Sequence, residues 1–311
     1  MNILTFDIEE WYIAKRNGVT SAEVYRRYDN MLERILALLD ERGVQATFFC
    51  LGGIAREFPQ VVKRIAEAGH EIGCHSDKHH WLTKMTEAEL REDTRAAIAS
   101  LEDLTGQAVT SYRAPAFSIG EANKWALDVL AECGIRQDAS IFPAARDFGG
   151  YPSFGHYEPC TLQCDGHELT EFPIPMTRIL GKEMAFSGGG YFRLLPYGLV
   201  HWTMKERAYG MCYFHIADLL PPEGGMMSRA DYEAYFKEPG TLANRLKRYV
   251  KSNIRVGNTF AKMEKLVHSL DFISINQAVK EINKQLFLIF STPALEYLGK
   301  LLKLLHLYKF I

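Results

Sequence analysis

This chain lacks a long uninterrupted apolar run, a paired-cysteine motif and a surplus of either charge, and each absence removes a class of protein. Lys and Arg total 36 against 38 Asp and Glu, a formal charge of −2. No basic excess is available to neutralise a phosphate backbone, so nucleic acid is not an expected partner, and strong steering of an anionic polymer is not expected either. The six cysteines, at 50, 74, 133, 160, 164 and 212, form no C-x-x-C pair. They are too sparse for a disulfide scaffold and predict reduced, mostly buried thiols. The start, Met1-Asn2-Ile3-Leu4-Thr5-Phe6-Asp7, has neither a basic n-region nor a long apolar h-region, so no secretory signal is expected and the cytoplasm is the expected compartment. Internal repeats and low-complexity linkers are also missing.

What is there is the composition of a folded domain: 311 residues, 47% hydrophobic and 24% charged, enough for one large domain or two medium ones. Residues 3–7 are a short apolar strand ending in acids. Val24, Tyr28, Met31, Leu32, Ile35 and Leu39 then repeat at helical spacing from an N-cap at Ser21 to a stop at Gly43. A buried strand over 46–50, a helix from Pro59 to Gly69, a strand over 70–75 and a helix opened by the capping-box pair Thr86 and Glu89 follow. Further strands are predicted near 109–113, 135–138, 169–173, 211–216 and 271–274, with helices over 121–132, 194–206, 241–268 and 276–285. Such alternation predicts an α/β fold with a mostly parallel sheet, and seven or eight strands favour a closed barrel over an open doubly wound sheet. The stretch 139–193, rich in Gly, Pro and aromatics, reads as an ordered loop beside a pocket.

The residues that can carry chemistry sit where strands end. Gly73-Cys74-His75-Ser76-Asp77-Lys78-His79 places two histidines four apart after an apolar strand; both reach one site if the segment turns helically. Asp7 and Glu9 end the first strand and share a face by alternation, while Glu10 points away. In a barrel, strand ends converge on one mouth, so Asp7, Glu9, His75 and His79 would meet there. One carboxylate with two imidazoles and an open position is the ligand set of a hydrolytic zinc or iron centre. Arg113, before Pro115, can hold a carboxylate by a bidentate pair, and His215 follows the apolar run Cys212-Tyr213-Phe214.

These motifs, in this order, resemble the polysaccharide deacetylase family, the NodB-homology carbohydrate esterases. HSDKHH is similar to its H-S/T-x-x-H metal motif, RAPAF to R-x-P-Y, and YFH to its late histidine motif. The start FDIEEW and the stretches 188–194 and 247–275 resemble a branch associated with exopolysaccharide and lipopolysaccharide assembly. The resemblance covers most of 1–285. It implies a distorted (β/α) barrel, one divalent ion (zinc first, then cobalt, nickel or iron) and removal of an N-acetyl group from a sugar in a surface glycan or glycan precursor. It also implies His75, His79 and one of Asp7 or Glu9 as ligands; Glu9 is taken as ligand and Asp7 as base. Arg113 would then hold Asp7, His215 would protonate the leaving amine, and Asp218 would orient His215. The backbone N–H near Ala116 and Phe117 would meet the oxyanion, and Tyr191 would belong to an aromatic wall for a pyranose.

Two departures from the family pattern stand out: Ile8 separates acids that are usually adjacent, and Ala116 replaces the tyrosine of R-x-P-Y. Two rival readings follow, a cyclic-amide or ureide hydrolase of the allantoinase type and a barrel that binds glycan without catalysis. The tail 286–311 interleaves Leu298, Leu301, Leu302, Leu305 and Tyr308 with Lys300, Lys303 and Lys309. Its charges argue against a spanning helix. An amphipathic helix is expected instead, packed on the barrel or a second subunit or lying at the inner membrane face.

Overall fold

The computed structural model describes residues 1–146, 149–179, 181–220, 225–236, 238–253 and 258–291. Ten strands are present among them: β1 (Asn2–Ile8), β2 (Thr47–Cys50), β3 (Glu71–Cys74), β4 (Ser111–Tyr112), β5 (Gln137–Asp138), β6 (Cys160–Cys164), β7 (His167–Glu171), β8 (Met176–Ile179), β9 (Lys182–Ala185) and β10 (Gly210–His215). Eight make one sheet in the order β10-β1-β2-β3-β4-β5-β7-β6, and β8 and β9 form a separate hairpin. From β10 to β7 every pairing is parallel; only β6 runs against its neighbour. Parallel strands are covered on both faces and therefore read as apolar runs, and β1, β2, β3 and β10 are buried along nearly their whole length.

The sheet curls. Arg113, just after β4, reaches Thr5 and Asp7 on β1 and Met211 on β10. Strands β4 and β1 are three steps apart, roughly 14 Å in a flat sheet, beyond the span of an arginine side chain. The eight strands thus curl into the distorted (β/α) barrel expected, although among the described residues no strand joins the edges β6 and β10.

The capping box at Thr86 is present: Thr86 Oγ1 accepts from the Glu89 N–H and Glu89 Oε2 accepts from the Thr86 N–H at 2.8 Å. The stretch 139–193 is not one long loop: after an irregular start it holds two hairpins, over 160–171 and 176–185, and the beginning of the helix Gly189–Leu194. Cys160–Cys164 and His167–Glu171 join through Asp165 and Gly166, with φ of 41° and 82°. An Asp-Gly pair between strands is a direct hairpin signal, because a type I′ turn needs positive φ at both central residues. The single helix expected over 241–268 is two among the described residues, Leu242–Asn253 and Thr259–Ser269, the second with Asn258 at its N-cap. The strand expected near 271–274 reduces to one bridge, Ile273 beside Ile3 at the foot of β1. The helix Ile275–Ser291 runs through the boundary expected at 285, and the tail residues from 292 onward lie outside the described residues. All six cysteines are free, and four are buried.

Candidate metal and catalytic site

The C-terminal ends of β1, β3, β4 and β10 gather the chemistry. β1 stops at Ile8, and Glu9 occupies the N-cap of the helix Glu10–Arg16 at φ −138°, ψ −22°. Glu9 therefore does not share the face of Asp7 by strand alternation, as the sequence reading had it; the turn into the helix carries it there. Its Oε2 lies 2.7 Å from His79 Nε2 and 3.3 Å from His75 Nε2. The ligand atoms of Glu9, His75 and His79 all lie within 4.8 Å of one another.

The two histidines also converge without a helical turn. His75 follows β3, and then Ser76 and His79 adopt left-handed φ of 77° and 58°. Such a conformation is costly for non-glycine residues and persists where its surroundings fix it. Here Gly52 and Gly53 N–H groups donate to Ser76 O and Asp77 O. Arg56 holds Asp77 through both carboxylate oxygens, at 2.7 and 2.9 Å, and Asp93 accepts from the Asp77 N–H. A Cβ on Gly52 would strike Asp77 Oδ1 and come within 2.7 Å of Ala97 Cα, so the loop packs onto bare backbone.

His75 Nδ1 lies 2.7 Å from Arg113 O. That carbonyl can only accept, so Nδ1 carries the proton and Nε2 presents its lone pair to Glu9 and His79, the arrangement that orients a metal-bound imidazole. Two imidazole nitrogens and a carboxylate oxygen fit a divalent ion of the zinc type. Burial works against charge on Glu9, yet the charges of His79 and His215 bring its pKa well below the carboxylate range.

Beside this cluster, Asp7 and Arg113 form a fully buried ion pair, Nη1 to Oδ1 at 2.8 Å. The guanidinium also donates to Thr5 Oγ1 and, through Nε, to Ala139 O, and it stacks 4.3 Å above Phe49. Asp7 Oδ2 is left facing His215 Nε2 at 3.8 Å; Glu9 Oε1 lies 3.7 Å from the same nitrogen. His215 Nδ1 pairs with Asp218 Oδ2 at 3.0 Å, and that oxygen also accepts from the His215 N–H. Burial opposes a charge on His215, but Glu9, Asp218 and Asp7 raise its pKa well above the ordinary value. Asp218, 3.4 Å from Arg193, is lowered despite burial by His215 and then by that arginine.

The remaining expected residues are placed unequally. Ala116 is half-buried at φ 55°, ψ 19°, a strained setting that Pro115 and the Ala114 N–H bond to Ser140 Oγ support. Phe117 differs from expectation: its ring is buried against Tyr213 and Phe142, and its N–H is committed to Ala114 O. It is therefore a wedge under Arg113, with no donor to offer an oxyanion. Tyr191 is half-buried and stacks on Phe142, centroids 6.3 Å apart. A cleft of about 840 Å³ opens beside His79, with Trp81, Arg16, Lys78 and Lys84 among its walls.

Two features were missed by sequence reasoning. Glu10 is buried, accepts from the Ala217 N–H, and is pushed up to about 7 by burial and by Glu9. Asp138 and Glu171, at the ends of β5 and β7, form a buried acid pair beneath the Arg113 turn; only the equal positions of two acids at neighbouring strand ends could have signalled them.

A curled, mostly parallel sheet thus carries a His-His-carboxylate cluster at its C-terminal mouth, flanked by Asp–Arg and His–Asp pairs. Residues 3–137 match the polysaccharide deacetylase family model; residues 139–280 match a domain of unknown function, DUF3473. The junction between the two falls inside the sheet, just after β5, and the site draws His215 and Asp218 from the second. The chain is 36% identical over 127 residues to a peptidoglycan-N-acetylglucosamine deacetylase of Bacillus cereus, covering 39% of this chain and 46% of that protein. It is 29% identical over 110 residues to a peptidoglycan deacetylase of Helicobacter pylori, covering 35% and 36%. It thus spans less than half the length of these curated relatives. A solved structure from Mycobacterium smegmatis, assigned as a polysaccharide deacetylase, shares the fold with TM-score 0.58, 20% identity and 91% and 90% coverage.

Proposed function

We propose that this chain is a metal-dependent N-deacetylase that removes an acetyl group from an amino sugar in a surface-glycan precursor. One observation carries the reading: Glu9 Oε2 faces the Nε2 atoms of both His75 and His79, with the His75 tautomer set by Arg113 O. Those three residues would hold one divalent ion, zinc by donor type, which supplies Lewis acidity at the acetamide carbonyl and acidifies water.

The chain's own groups do the rest. Asp7, gripped at Oδ1 by Arg113, uses Oδ2 to accept the proton of the attacking water. As the water oxygen bonds to the carbonyl carbon, the Ala116 N–H meets the developing oxyanion. His215 gives its Nε2 proton to the nitrogen as the C–N bond breaks, and Asp218 holds the imidazole through Nδ1. Acetate and a free amine leave. Tyr191, and Trp81 in the cleft beside His79, supply ring faces for a pyranose.

The names of the relatives favour a second substrate, peptidoglycan. The test begins with elemental mass spectrometry of the purified chain and of His79→Ala. About one divalent ion per chain, lost in the variant, is expected, and acetate release from N-acetylated sugar precursors and from peptidoglycan then separates the two substrates. A wild type that stays metal-free after reconstitution with zinc, cobalt or nickel would overturn the mechanism in favour of glycan binding alone. Activity on cyclic amides only would favour the ureide-hydrolase alternative.

A further inference from the structure

The helix Leu242–Asn253, LANRLKRYVKSN, turns its apolar side outward. At 100° per residue, Leu242, Ala243, Leu246, Tyr249 and Val250 fall within an arc of about 120°. This stripe is exposed: Leu242 by 64%, Leu246 by 51%, Val250 by 49% and Tyr249 by 36%. The half-buried residues are the polar ones of the opposite face, Asn244, Arg245 and Arg248. Asn244 Nδ2 donates to Pro239 O and Arg245 Nη1 to Met227 O, so the helix is fastened by its polar side. Met227, 41% exposed, adds apolar surface beside it. In a globular domain the apolar stripe of a helix ordinarily faces the core; here it faces outward.

The charges indicate what it meets. The helix carries Arg245, Lys247, Arg248 and Lys251 and no acid, within a chain of net charge −2. Arg245 and Lys247 lie just beyond the two edges of the apolar arc. An exposed apolar stripe on a helix whose charges are all cationic, with the exposed Lys247 at its edge, matches a bilayer surface, where acyl chains and anionic headgroups meet at one depth. No described helix is long and apolar enough to cross a membrane, so the contact is interfacial.

We propose that Leu242–Asn253 docks this chain on an anionic lipid surface, with Leu242, Leu246 and Val250 inserted below the headgroups and Lys247 on the phosphates. The surface is distinct from the tail 286–311 and does not depend on the deacetylase reading.

The experiment is co-sedimentation of the full chain with phosphatidylcholine vesicles, with and without phosphatidylglycerol. Binding to the mixed vesicles and not to the neutral ones is expected. Leu246→Glu with Val250→Glu should weaken it tenfold or more, and Lys247→Gln about fivefold. Circular dichroism and thermal unfolding check that the double variant is folded; if it is not, the exposed change Lys247→Gln carries the test. Three results overturn the proposal. The first is no binding to either vesicle. The second is binding that the double variant leaves intact, which would assign it to another segment. The third is a wild type that fails to bind vesicles but self-associates on sedimentation, with the double variant monomeric, which would make the face a contact between copies.

Discussion

Replacing Glu171 by glutamine should make the protein more stable, and increasingly so as pH rises. Glu171 and Asp138 lie side by side, fully buried. The Ser140 N–H and O–H donate to Asp138 at 3.0 and 2.6 Å, and the Ile141 N–H donates to Glu171 Oε1 at 3.2 Å. Glu171 Oε2 has no donor among the described residues. Burial, and after it the charge of Asp138, pushes Glu171 well above the carboxylate range, so its carboxyl is protonated and can donate to Asp138. In the unfolded chain Glu171 ionises near pH 4.3. Above that pH the unfolded state binds fewer protons than the native state, and stability falls by about 1.4 kcal/mol per pH unit until the folded group ionises. Glutamine keeps both contacts, an N–H to Asp138 and an oxygen for Ile141, and has no proton to lose. Scanning calorimetry of wild type and Glu171→Gln at pH 5, 6 and 7 isolates the effect as a difference. Their separation in Tm should widen by about 2 °C per pH unit from pH 5 upward. A separation that stays constant with pH would refute a protonated Glu171.

Two further outcomes follow from the site. His215→Ala should lower kcat by about 10²–10⁴-fold while leaving metal content unchanged; loss of metal in that variant would show His215 to be a ligand. Asp218→Asn removes a charge that raises the His215 pKa, so the alkaline limb of the kcat profile should move to lower pH, and an unmoved limb would dissociate the pair. Gly52→Ala forces a Cβ onto Asp77 and the Ala97 backbone and should cost about 1–3 kcal/mol. Metal affinity should drop with it, because the same loop carries His79; intact affinity in a destabilised variant would separate loop packing from ligand placement.

Residues whose chemistry coincides with a strand end could be found in the sequence, since an apolar run closed by Asp7, His75, Arg113 or His215 reads as a barrel mouth. The way they meet was not legible. Glu9 arrives through a helix N-cap, and His79 arrives through left-handed residues at Ser76 and His79, conformations dictated by Gly52, Arg56 and Asp93 rather than by local preference. Phe117 was misjudged because a motif position says nothing of which way a ring packs. Asp138 and Glu171 look like solvated acids until β5 and β7 are known to be neighbours. The hairpin at Asp165-Gly166 was readable and was obscured by the aromatic and glycine content around it.

The central place of β1 has a consequence during synthesis. Thr5 donates to Cys212 O across 207 residues, and β1 pairs with β10 along Asn2–Asp7. At 5–20 residues per second the ribosome takes about 10–40 s to deliver that partner, and throughout that time one edge of an apolar strand stays unpaired, a template for misassociation. Asp7 and Glu9, among the first residues made, likewise wait for His215, among the last of the sheet. A nascent chain halted after β5 would therefore hold Glu9, His75 and His79 without His215 and Asp218.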